Sequence, residues 1–160
     1  VYTYSSTCPC SAALSRQLLT KKFDANFNNE TVHKNDVINW LNQEENVGGL
    51  PHAQRSTATI KTKYVNTKSI PSLDEMINTI ESKLKTSVQG FVKRQDEQEF
   101  AKMNAEHLLF SEDAVRLFRQ ILEEDEKVSD YAIHVEHFES LHPHNATAKI
   151  VKGIPNGFSA

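Results

Sequence analysis

Val1-Tyr2-Thr3-Tyr4 alternate in the manner of a strand, which the Tyr, Thr and Ser content extends over Val1 to Thr7, and Cys8-Pro9-Cys10-Ser11 stops it. Ala12 to Leu19 fits a short helix. From Phe23 to Gly49 the chain turns polar and Asn-rich, and Gly48-Gly49 and Pro51 close that stretch. Within it Val37, Ile38, Trp40 and Leu41 suggest a helical turn or more. Arg55 to Val65 alternates again and predicts a second strand. Ser72-Leu73-Asp74-Glu75 has the spacing of a capping box, followed by an apolar face of Leu73, Met76, Ile77, Ile80 and Leu84. A linking stretch carries Phe91 to Glu97. Ser111 is placed to cap a second helix, with Ala114, Val115, Phe118, Ile121 and Leu122 on one side. Asp130 to Glu139 and Ala146 to Val151 read as the last two strands.

The order strand, strand, helix, helix, strand, strand predicts an α+β fold: an antiparallel four-stranded sheet with two helices packed on one face. The expectation is a single domain over 1–160 with an insert at about 20–50. The chain begins without Met and already in strand, which suggests that it starts mid-protein.

Composition narrows the function classes. With 38% hydrophobic and 24% charged residues and a net charge of -3, the chain is neither disordered nor a polyanion binder, and no basic stripe marks a nucleic-acid surface. No apolar run reaches membrane-spanning length. The two cysteines stand one residue apart, too close for an ordinary crosslink. Free thiols with no signal peptide point to a reducing cytoplasm.

If the strands pair in sequence order, the chemically unusual residues converge. Cys8 and Cys10 end strand one, and His52 precedes strand two. The linker with Glu97 and the helix start with Glu112 return to that end. Strand three then delivers Glu139, His142 and His144 there. Thiolate, imidazole and carboxylate donors suit one divalent cation (Zn, Mn or Fe), and a low-pKa thiol can also move protons. Each residue also has a plain explanation. Glu112 complements a helix dipole, Glu97 is a solvated charge, and His142-Pro143-His144 alternate so that their side chains face opposite ways unless the turn bends them.

Five ordered stretches carry a resemblance: Ser6-Thr7-Cys8-Pro9-Cys10-Ser11, His52-Ala53-Gln54-Arg55-Ser56, Lys93-Arg94-Gln95-Asp96-Glu97, Phe110-Ser111-Glu112-Asp113, and Glu136-His137-Phe138-Glu139-Ser140-Leu141-His142-Pro143-His144-Asn145-Ala146. Together they resemble the bacterial type IB GTP cyclohydrolases, in their C-terminal portion. The resemblance implies a tunnelling-fold unit, ββααββ, that associates with an upstream half of the same protein and into a homo-oligomer, a tetramer. It implies GTP as substrate, and 7,8-dihydroneopterin triphosphate and formate as products, in folate and modified-tRNA biosynthesis. It assigns Cys8, Glu97 and His142 to the metal, with His52 a fourth ligand or a close neighbour. Cys10, His52 and Glu139 take the catalytic roles, Glu112 the guanine edge, and Arg55, Lys93 and Arg94 the triphosphate. Two departures stand out: the roughly forty residues between Cys10 and His52, and Gln95 where a proline is expected. The rival readings are a deazaguanine nitrile reductase of the same fold, which would use NADPH and no metal, and a non-catalytic metal-binding assembly subunit.

Overall fold

A computed structural model of the protein describes residues 1–46 and 49–159. Gly48 of the expected Gly48-Gly49 closure lies outside the described residues. The chain divides into two compact units, one formed by Val1–Thr7 with the chain from Ala53 onward, the other by Cys8–His52.

In the first unit β1 (Tyr2–Thr7), β2 (Ala53–Tyr64), β3 (Val128–His137) and β4 (Ala146–Val151) form one antiparallel sheet in sequence order. Tyr4, Ser56, His137 and Ala146 line up across it. The faces separate cleanly on β3, where Tyr131, Ile133, Val135 and His137 are buried and the residues between them are half-exposed. Against that buried face pack α3 (Leu73–Leu84) and α5 (Ser111–Glu123), through Ile80, Leu84, Val115, Phe118 and Ile121. The α+β architecture expected from the sequence is the one observed.

Helix α3 begins with the expected capping box: Glu75 N–H donates to Ser72 Oγ at 3.2 Å and Ser72 N–H to Glu75 Oε2 at 2.8 Å. Leu73, expected on its buried face, is instead exposed. Helix α5 is capped differently from expectation. Phe110 is the N-cap, its N–H donating to Asp113 Oδ2 at 3.3 Å, while Ser111 sits buried in the first turn and donates to Glu112 Oε2.

The expected linker around Phe91 to Glu97 is in part a helix, α4 (Arg94–Glu106), which packs against β1. Its buried face is meagre: Asn104 is buried and Phe100 and Met103 half-buried, so the apolar periodicity that marks α3 and α5 is nearly absent. Strands two and three also shift. β2 begins at Ala53 rather than Arg55, and β3 ends at His137, leaving Glu139 in the segment beyond it.

The C-terminal residues fold back onto Asp130, whose carboxylate accepts the N–H groups of Gly153 at 3.2 Å and Phe158 at 2.6 Å. Burial pushes this carboxyl up, but the N–H donors of Phe158, Tyr131 and Gly153 outweigh it and hold it below its ordinary value. Gly157 is required there, because a Cβ would collide with Asp130 Oδ2 and come within 2.7 Å of Ile154 Cγ1.

The second unit holds α1 (Pro9–Asn26) and α2 (Lys34–Leu41). Pro9 occupies the first position of α1, where its missing N–H costs nothing. The helix runs seven residues past the expected Leu19, since 20–26 contains no Gly or Pro, and Phe23 in its last turns and the C-cap Phe27 both pack on Trp40 with ring centroids 5.6 and 5.9 Å away. Among the described residues no helix is long and apolar enough to cross a membrane.

Candidate functional site

The inward face of the sheet changes character along the strands. At one end it is apolar, with Ile60, Ile133 and Tyr131. Toward the other it becomes polar: Ser6, Gln54, Ser56 and His137 are all buried. Such residues at inward positions are the informative ones, because burial penalises polar groups that lack partners. Most have them. Ser6 and Ser56 hydroxyls meet at 2.7 Å, Tyr4 Oη lies 2.8 Å from His137 Nε2, and Gln54 Nε2 donates to Glu139 Oε1 at 2.8 Å. Burial pushes the His137 imidazolium down from its ordinary value, and the Glu139 and Glu112 carboxylates only partly offset this. Glu139 is also bonded to the polar end of the core through Gln54.

Backbone bonds define the rim there. Thr7 pairs with Ala53, Leu109 N–H donates to Thr7 O at 3.1 Å, and Phe138 N–H to Arg55 O at 3.0 Å. Beyond it Glu139 is half-buried, its N–H donating to Asn145 Oδ1 at 3.2 Å, and Asn145 Nδ2 reaches Glu136 Oε1 at 2.8 Å. The turn does bend the two histidines together: the His142 and His144 rings stack with centroids 5.7 Å apart, both exposed. Glu112 is exposed in the first turn of α5, and Arg55 is exposed on β2.

Lys93, Arg94 and Glu97 occupy the exposed start of α4 instead of a loop. Glu97 stands roughly 14 Å of helix axis before Glu106, at 1.5 Å per residue. Lys93 is the N-cap residue, its N–H held by Asp96 Oδ2 at 3.2 Å.

In the second unit Cys8 is the N-cap of α1 and Cys10 lies in its first turn. Both thiols are free, Cys8 half-buried and Cys10 exposed. Cys8 N–H donates to His52 O at 3.4 Å, which ties the two ends of the unit together. In the chain Cys8 directly follows Thr7 and His52 directly precedes Ala53.

Thiolate, imidazole and carboxylate together are a fitting donor chemistry for Zn, Mn or Fe. Among the described residues, however, no three His, Cys, Asp or Glu side chains stand close enough to hold a metal ion. Sequence reasoning missed Tyr4, Gln54, Ser56 and His137 as parts of the rim. Period-two alternation could have found them, since it assigns Gln54 and Ser56 to the same face as Ala58 and Ile60.

Comparison with known proteins adds the rest. The chain is 49% identical over 156 residues to the GTP cyclohydrolase FolE2 of Hydrogenovibrio crunogenus, covering 98% of this chain and 50% of that protein. It is 46% identical over 158 residues to the GTP cyclohydrolase FolE2 of Pseudoalteromonas translucida, covering 99% and 52%. The corresponding protein of Bdellovibrio bacteriovorus is 45% identical over 155 residues, covering 96% and 50%. The chain thus spans about half the length of the curated relatives it matches. A family model described as type I GTP cyclohydrolase folE2, a description that does not use the type IB label, matches residues 1–148, and the chain belongs to that family.

Proposed function

We propose that the protein of which this chain is part is a GTP cyclohydrolase with the chemistry of the type IB enzymes, converting GTP and water to 7,8-dihydroneopterin triphosphate and formate. The family match over residues 1–148, which takes in all five motif stretches, carries this reading. The polar, buried end of the core, with Gln54 bonded to Glu139, also supports it. An upstream half and further copies in a homo-oligomer, a tetramer, complete the active assembly. Two free thiols suit a cytoplasmic setting.

Glu112 binds the guanine edge, its carboxylate accepting two N–H donors from the base. It stands in the first turn of α5, where the N-terminal end of the helix dipole favours negative charge. Arg55, Lys93 and Arg94 offer exposed positive charge to the triphosphate. Cys10 and His52 move protons as N7 and N9 of the purine change charge, and Glu139 supports that transfer. Cys8, His52, Glu97 and His142 are the candidate ligands of one divalent cation. Such a cation supplies Lewis-acid activation of water at neutral pH.

The test is direct. The complete protein, incubated with GTP and Zn, Mn or Fe, should produce a fluorescent pterin, and Cys10→Ala should abolish it. No pterin from the wild type with any of the three metals would refute the proposal.

A further inference from the structure

Gln54 sits where the alternation of β2 calls for a packing residue, on the inward face with Ser56 and Ala58, paired with Ser6. It is only 7% exposed. An apolar side chain of that length would fill the position without any polar group to satisfy. The amide instead does two things. Its Nε2 donates to Glu139 Oε1 at 2.8 Å, while its Oε1 is buried with no hydrogen-bond partner among the described residues. The reverse amide orientation would set a carbonyl against the carboxylate, so the donor must face Glu139. Buried carbonyl oxygens left unpaired are uncommon, which argues that this side chain is kept for what it does to Glu139 rather than for the fold.

From this we infer that Gln54 is a positioning residue for the proposed reaction, setting the Glu139 carboxylate at the rim. The inference rests on the functional reading above. The path of the segment beyond β3 does not depend on Gln54. Phe138 N–H is held by Arg55 O at 3.0 Å and Glu139 N–H by Asn145 Oδ1 at 3.2 Å. Gln54 therefore acts on the side chain of Glu139 rather than on its backbone, and its loss removes one donor that orients the carboxylate.

The experiment compares wild type, Gln54→Met, Glu139→Gln and the double variant in the complete protein, with kcat and KM for GTP measured for each. Gln54→Met should lower kcat about ten- to a hundredfold, the scale of a misplaced catalytic group, with KM changed less than about threefold. The double variant should be no slower than Glu139→Gln, because the two residues act as one unit. Should Gln54→Met fail to fold, Gln54→Leu carries the same expectation, since it also fills the position and removes the donor. Near-normal kcat in the variant, a change confined to KM, or losses that multiply in the double variant would each overturn the role of Gln54 alone. A wild type that releases no formate from GTP would overturn the functional reading and this inference with it.

Discussion

His137 is a buried imidazole whose Nε2 meets the Tyr4 hydroxyl, itself fully buried and with its ionisation pushed up by desolvation. Tyr4→Phe leaves that nitrogen unpaired in the core and should cost about 1–3 kcal/mol in urea unfolding. An unchanged midpoint would show that the bond contributes nothing. The folded pKa of His137 lies below its ordinary 6.5. Its contribution to stability is therefore complete above about pH 6.5 and is lost as pH falls through the lower folded value. In His137→Gln this part of the pH dependence should disappear from the stability profile. Asp130 follows the same sign at lower pH. Its carboxyl is held below 3.8, so the hold on the C-terminal turn is intact above that value and released below it. Asp130→Asn and Gly157→Ala should both lower the melting temperature at pH 7, with the Asp130→Asn difference shrinking in acid. Equal melting curves at pH 7 would remove the turn from the account. None of these partners could be read from the sequence, because each joins residues far apart in the chain.

At the scale of elements, strong amphipathic signals translated into structure and weak ones did not. Phe118 on α5 packs edge-on to Tyr4 at a centroid distance of 6.0 Å and is almost wholly buried. Phe118→Ala should cost about 3–5 kcal/mol by chemical denaturation, and a loss under 1 kcal/mol would contradict the core described here. The capping box at Ser72 and the alternation of β2 and β3 were legible because local chemistry and burial agree there. Helix α4 was not, because so little of it is buried, and the end of α1 was not, because the polar stretch that begins at Phe23 carries no clear apolar face although the helix continues to Asn26. The turn at His142 to His144 was half legible. Spacing named the two imidazoles, but only the bend after β3 decides that their rings stack on one side.

For the whole molecule, the sheet ends in β1 and β4, and the chain covers about half of each relative's length. An assembly that covers those edges fits both facts. The candidate metal ligands are divided between the two units, Cys8 and His52 in one, Glu97 and His142 in the other. Motif order made their residue types legible. In the complete protein, Glu97→Ala should reduce bound divalent metal measured by elemental analysis, and full metal content in that variant would exclude Glu97 as a ligand. The central claim is opening of the purine ring at C8 by a site that uses these residues. GTP carrying an isotopic label at C8, given to the complete metal-loaded protein, tests it most directly. The account predicts that the label leaves as formate from the wild type and stays in the nucleotide with Cys10→Ala. Label retained in the purine by the wild type, or released equally by the variant, would contradict it.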